Sequence, residues 1–142
     1  MTVPVTGNIQ FMPPGGVFLT VDSISDPGGA PAEVLDVDQG FTVQGTVVLP
    51  NWLAGTGTVT IYADEQGGPI DKALQPSATI TLAPSNTEPN PKKYAWSIAF
   101  GGNVLPDPSA GSQIYRLLAK FMDEGQATDI AGFVVIGDYL VN

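Results

Sequence analysis

Fourteen carboxylates, no histidine and no cysteine bound the chemistry open to this chain. A carboxylate pair can cleave a glycosidic bond when one acid is buried enough to hold its proton and the other stays ionised. Most of the acids here fall in predicted turns, among them Asp26, Asp36, Asp38, Asp107, Asp123 and Glu124. Asp is common in turns because it bonds its own backbone and tolerates turn geometry. No catalytic pair is therefore assigned. Without His the chain lacks the usual general base and the commonest transition-metal ligand, so a Ser-His-Asp triad cannot be assembled. Without Cys it has no disulfide, thiolate metal site or cysteine nucleophile, and the redox compartment is left open.

Calcium is the metal that the remaining ligands suit, because hard cations take several oxygen donors. Asp22, Asp26, Asp36 and Asp38 come from one strand end and the loop after it, with no Lys or Arg between them. Against this stands the absence of an Asp-x-Asp-x-Asp-Gly loop, which favours reading the same acids as solvated turn residues. Asp64 and Glu65, before Gln66-Gly67-Gly68, form a weaker second group. No other cofactor is expected.

Trp52 follows Pro50-Asn51 just past a strand end. An exposed aromatic there stacks on a sugar ring, with Tyr62 or Tyr139 as neighbours, if the chain is a carbohydrate-binding module. The competing expectation is that Trp52 caps one end of the core, since Leu53 beside it also needs burial.

These side chains must be held by β-structure. Val17-Phe18-Leu19-Thr20-Val21, Phe41 to Val47 and Thr58-Val59-Thr60-Ile61-Tyr62 each alternate apolar and polar with period two. Seven strands are expected, at about 17 to 24, 40 to 49, 57 to 64, 77 to 83, 93 to 101, 113 to 122 and 130 to 141. The inward set is Val17, Leu19, Val21; Phe41, Val43, Val47, Leu49; Val59, Ile61, Ala63; Ala78, Ile80, Leu82; and Trp96, Ile98, Phe100, with Tyr94 at the rim. Thr42, Gln44, Thr46, Thr58, Thr60, Thr79 and Thr81 make the opposite face small and polar. Within Gln113 to Met122 both a helical set (Ile114, Leu117, Leu118, Phe121) and a strand set (Tyr115, Leu117, Ala119, Phe121) fit. Strand is expected, because Asp123-Glu124-Gly125-Gln126 supplies a hairpin turn. Residues 1–16, ending in Pro13-Pro14-Gly15-Gly16, read as an arm or edge strand before a single domain over 17–142.

Ala110-Gly111-Ser112-Gln113-Ile114-Tyr115-Arg116-Leu117-Leu118-Ala119, followed by Asp123-Glu124-Gly125, resembles the penultimate strand of bacterial immunoglobulin-like and fibronectin type III-like domains. The resemblance implies an all-β, immunoglobulin-like antiparallel sandwich of about seven strands, with Tyr115 in the tyrosine-corner position. The sequence departs from that pattern at three points. Two additional residues separate Gly111 from Tyr115, the antibody cysteines are absent, and Trp96 falls too late to be the strand C tryptophan.

A 43% hydrophobic and 13% charged composition supports one folded core, and a net charge of -9 disfavours nucleic acid and anionic membranes as partners. The amino end lacks a basic start and a continuous apolar stretch, and no run is long enough to span a bilayer, so no signal peptide or transmembrane segment is expected and the chain reads as soluble. An intracellular product, a virion-type particle component and a processed extracellular module all fit. The expected function is a non-catalytic structural or protein-interaction module, self-assembling through edge strands or the arm. The alternative is a carbohydrate-binding or adhesion module stabilised by calcium.

Overall fold

Alternating runs bury one face only when the backbone is extended and each strand bonds to neighbours, and the computed structural model has that arrangement. It describes residues 18–29, 34–67, 71–84, 91–105, 113–124 and 131–141. These form nine strands: β1 (Phe18–Ser25), β2 (Val34–Leu35), β3 (Phe41–Leu49), β4 (Gly55–Glu65), β5 (Asp71–Ala73), β6 (Ala78–Leu82), β7 (Lys92–Phe100), β8 (Gln113–Glu124) and β9 (Ala131–Val141). All seven expected strands are present within two residues of their expected bounds. The additional β2 and β5 have two and three residues, too short to carry a periodic signal. Residues 1–16, read as an arm, lie outside the described residues.

The strands make two sheets, one ordered β1-β3-β7 and the other β2-β9-β8-β4-β5, with β6 sharing the β5 edge of β4. Pairing is antiparallel throughout except between β2 and β9. The inward faces of both sheets meet in one core that contains Val43, Val47, Ile61, Leu117, Phe121 and Ile136, so the chain is an antiparallel β-sandwich. The segment 113–124 is strand, with Tyr115, Leu117, Ala119 and Phe121 fully buried. A helix there would have left Tyr115 and Ala119 off the buried stripe.

Alternation breaks twice, each time at a bulge. In β1 the register shifts between Val21 and Ser23, so Asp22 is extruded and Ile24 returns to the core with Leu19 and Val21. In β9 Leu117 pairs with Gly137 but Leu118 with Val135, so Ile136 is the additional residue. Gly137 follows it at φ +155°, a conformation L side chains rarely adopt. The bulge reverses the phase of β9. Val134 and Ile136 face inward before it, Tyr139 and Val141 after it, and Asp138 and Leu140 are turned outward.

Trp96 of β7 lies opposite Gly45 of β3 and packs its indole into the space a side chain would take. A Cβ on Gly45 would collide with the Thr20 carbonyl oxygen and stand 2.5 Å from Trp96 Cζ2. A carbonyl in the ladder cannot swing away as a flexible side chain would. Gly45→Ala is therefore expected to lower stability by about 2 kcal/mol or more, read as a lower urea midpoint with an unchanged slope. An unchanged midpoint would mean that β1 and β7 approach β3 less closely than described.

Candidate functional site

The four Asp residues considered for calcium lie in β1 and in the turns after β1 and β2. Asp22 projects from the β1 bulge, Asp26 opens a turn closed by Gly29 N–H donating to its carbonyl at 3.0 Å, and Asp36 opens another closed by Gln39 N–H at 3.2 Å. Asp38 sits exposed within that second turn. Among the described residues no group of three or more acidic side chains comes close enough to hold a metal ion. Asp64 and Glu65 are successive residues of β4, so they point to opposite faces and do not share an ion: Asp64 is outward and Glu65 buried.

Asp22 also edges a shallow groove of about 390 Å³ on the outer face of the β1-β3-β7 sheet, bordered by Gln44 and Thr46 and floored by Ala95 and Ser97. Small residues on β7 create it. It is wide open, unlike the clefts that enclose most of a small ligand's surface.

Trp52 does not cap the core. It stands 61% exposed in the turn between β3 and β4, while Leu53 alone turns inward and is buried. The turn, closed by Leu53 N–H donating to the Pro50 carbonyl, inserts one of the two neighbours and leaves the other in solvent. Tyr62 lies seven residues beyond the first residue of β4, roughly 24 Å along the strand, so the fold separates it from Trp52. Tyr139 is buried in β9, and burial raises its phenol above the ordinary value. Neither tyrosine stands beside Trp52 to extend a stacking surface.

The outward faces of the two sheets differ. On β3, Thr42, Gln44 and Thr46 are outward as expected, and Thr20 and Thr46 hydroxyls bond across the strands at 2.7 Å. Thr58 and Thr60 of β4 and Thr79 and Thr81 of β6 are outward as expected too, but the outer face of β8 and β9, strands that contributed none of those residues, is apolar. Ile114, Met122, Phe133 and Leu140 are exposed at 45, 37, 37 and 43%, with Val34 of β2 at 41%. The register sets three of them in one row, beside a half-buried second row. Val34, Leu140 and Ile114 stand side by side across β2, β9 and β8, and Val135, Leu118 and Tyr62 form a parallel row across β9, β8 and β4.

Between those rows runs a charged one. Arg116 Nε donates to Asp138 Oδ1 at 3.0 Å and its Nη2 to Oδ2 at 3.4 Å, with Asp64 in register on the other side. The hydrogen bonds and charge of Asp138 raise the guanidinium above its ordinary value. Lys120 lies beyond, between Phe133 and Thr60. Among the described side chains of this face, two positive groups (Arg116, Lys120) and two negative ones (Asp64, Asp138) cancel. The chain as a whole carries -9.

Asp123, expected in a turn, instead continues β8 and points inward opposite Gly57, 8% exposed. Neither carboxylate oxygen has a hydrogen-bond partner among the described residues. Burial pushes its titration upward, because the charged form loses water without gaining a partner.

No family model and no curated protein matches this sequence. Solved structures do. The chain is similar to the C-terminal domain of wzt, with a TM-score of 0.63 at 12% identity over 99% of this chain and 82% of that one. It is also similar to part of a β-glucosidase from Listeria innocua in complex with glucose, with a TM-score of 0.51 at 9% identity over 91% of this chain and 16% of that one. At these identities the likeness establishes the sandwich fold.

The sign of the Asp123 effect is set by the raised folded value. Above it the carboxylate is ionised in both states, and the folded state bears the desolvation cost. As pH falls through it the folded protein takes up the proton first, and the cost is gone below the unfolded value of about 3.9. Asp123→Asn is thus expected to melt higher than the parent at pH 7, with the gap closing as pH falls toward about 4. A gap independent of pH would show that the carboxylate is not desolvated.

Proposed function

We propose that this chain is a non-catalytic β-sandwich module of the bacterial immunoglobulin-like type that works by engaging a protein surface, without a cofactor, through the outward face of β9-β8-β4. One observation carries the reading: two in-register apolar rows, Val34–Leu140–Ile114 exposed and Val135–Leu118–Tyr62 half-buried, lie on either side of the Arg116–Asp138 pair. Contiguous exposed apolar area of a few hundred Å² marks interaction surfaces, whereas apolar residues scattered singly do not. The charged row gives the face orientation as well as stickiness, because a partner must match its signs to dock. Tyr115, fully buried at the start of β8, supports the immunoglobulin-like placement.

Site-specific photo-cross-linking in the native cells tests this. A cross-linker at position 118 or 133 is expected to trap protein adducts, and one at position 99, on the outer face of β7, is not. Equal yields at all three positions, or none, would remove the reading.

A carbohydrate-binding role has one observation in its favour, the 61% exposure of Trp52. A lone ring supplies one stacking contact, which favours weak binding to a repeating glycan over a monosaccharide site. That role predicts glycan-array signal that Trp52→Ala abolishes without moving the melting temperature. An array silent for the parent chain rejects it.

A further inference from the structure

We infer that the occupant of the β9-β8-β4 face is a second copy of this chain, docked about a two-fold axis parallel to the strands and midway between β8 and β9. This rests on the interaction reading above and names its partner.

The inference comes from what such an axis does to the rows. It leaves each row at its own height and exchanges the two strands, so β8 of one copy lies over β9 of the other. Each β8 residue then meets the residue that is already its register partner within the chain. Ile114 meets Leu140 of the second copy, Leu118 meets Val135 of the second copy, and Arg116 meets Asp138 of the second copy. Apolar rows cover apolar rows, and each ion pair becomes half of a four-charge square. Lys120 lies over Phe133 of the second copy, an ammonium against a ring face. An isologous interface requires a surface complementary to itself, and this one is so row by row.

Charge permits the same occupant. A chain at -9 carries a net repulsion between copies. The described side chains of this face sum to zero, and Arg116 meets Asp138 of the second copy across the axis, so two copies approach here against little repulsion. About this axis β8 and β9 of the two copies overlap, two strands abreast at about 4.8 Å over about 40 Å, roughly 400 Å², with β4 meeting only the short β2 of the second copy. That is about half of the about 800 Å² per partner of a standard interface, so the dimer is a weak one that forms as concentration rises. Two sheets packed face to face is also how the sandwich itself is built.

The test is a charge swap read by light scattering after size exclusion. The parent is expected to approach twice the monomer mass as concentration rises. Arg116→Asp sets two negative groups opposed across the axis and Asp138→Arg two positive ones, so each alone is expected to weaken the dimer about a hundredfold or more. Both side chains are about half exposed, which keeps the fold out of the comparison, and unchanged melts of the diluted variants confirm it. Mixing the two variants restores both opposite-charge contacts, and a dimer returning only in the mixture would establish the two-fold. A parent chain monomeric at every concentration would overturn the inference, as would a dimer indifferent to both swaps or one lost only when residues 1–16 are removed. A monomeric parent that still cross-links to other proteins through position 118 would refute self-association alone and leave the interaction reading standing.

Discussion

An extended backbone turns successive side chains to opposite faces, and the charged row and the exposed apolar row of the larger sheet depend on where that alternation is reset. A strand without a bulge sends alternate residues one way along its whole length. In β9 that would put Asp138 in the core and Tyr139 and Val141 in water. The additional residue at Ile136, with Gly137 supplying the unusual backbone angle, reverses the phase once. Tyr139 and Val141 then complete the core, and Asp138 and Leu140 arrive beside Arg116 and Ile114. The ion pair and the upper apolar row are products of one inserted residue. The β1 bulge has the opposite use: it keeps Ile24 in the core by discarding Asp22 to the surface.

The two sheets solve the same burial problem and leave different outsides. The β1-β3-β7 sheet shows water Thr, Gln, Ser and Ala, side chains that fit a pleat and stay hydrated. The larger sheet shows Thr on β4 and β6 but Ile, Leu, Met and Phe on β8 and β9, around a balanced set of charges. Nothing in the sandwich core requires those outward residues to be apolar, since Thr would serve the strand geometry as well. Their presence costs solubility in a chain only 13% charged, and that cost has a use if another surface covers them. Asp123 is the converse, a carboxylate facing inward at the end of β8 where an apolar residue would be more stable.

Much of the sandwich could be read directly. Val43, Val47, Val59, Ile61, Ile98 and Phe100 were placed inside by period two, and they are there, because a strand buried on one face has no other way to satisfy both its hydrogen bonds and its side chains. The strand character of 113–122 rested on the turn residues after it, since helical and strand spacings both fit there, and the structure decides it by burying Tyr115, Leu117, Ala119 and Phe121 together. Trp52 stays between two readings in the sequence because local pattern shows that a turn can bury only one of two neighbours, but not which one. The apolar outer face was missed because Ile114, Leu118 and Met122 alternate with equally apolar inward residues. A strand apolar on both faces carries no period-two contrast.

Composition, spacing and the absence of His and Cys were therefore enough to determine an all-β body and to narrow its chemistry, since those properties belong to one strand or to the residue list as a whole. Which side chains share a row was decided only by tertiary structure. Row membership depends on register between strands far apart in the chain, and on a bulge that shifts one strand's phase relative to its neighbour. No local pattern encodes either. Arg116, Asp138, Ile114 and Leu140 are unremarkable residues in the sequence, and they become a surface because β8 and β9 pair in one register and no other.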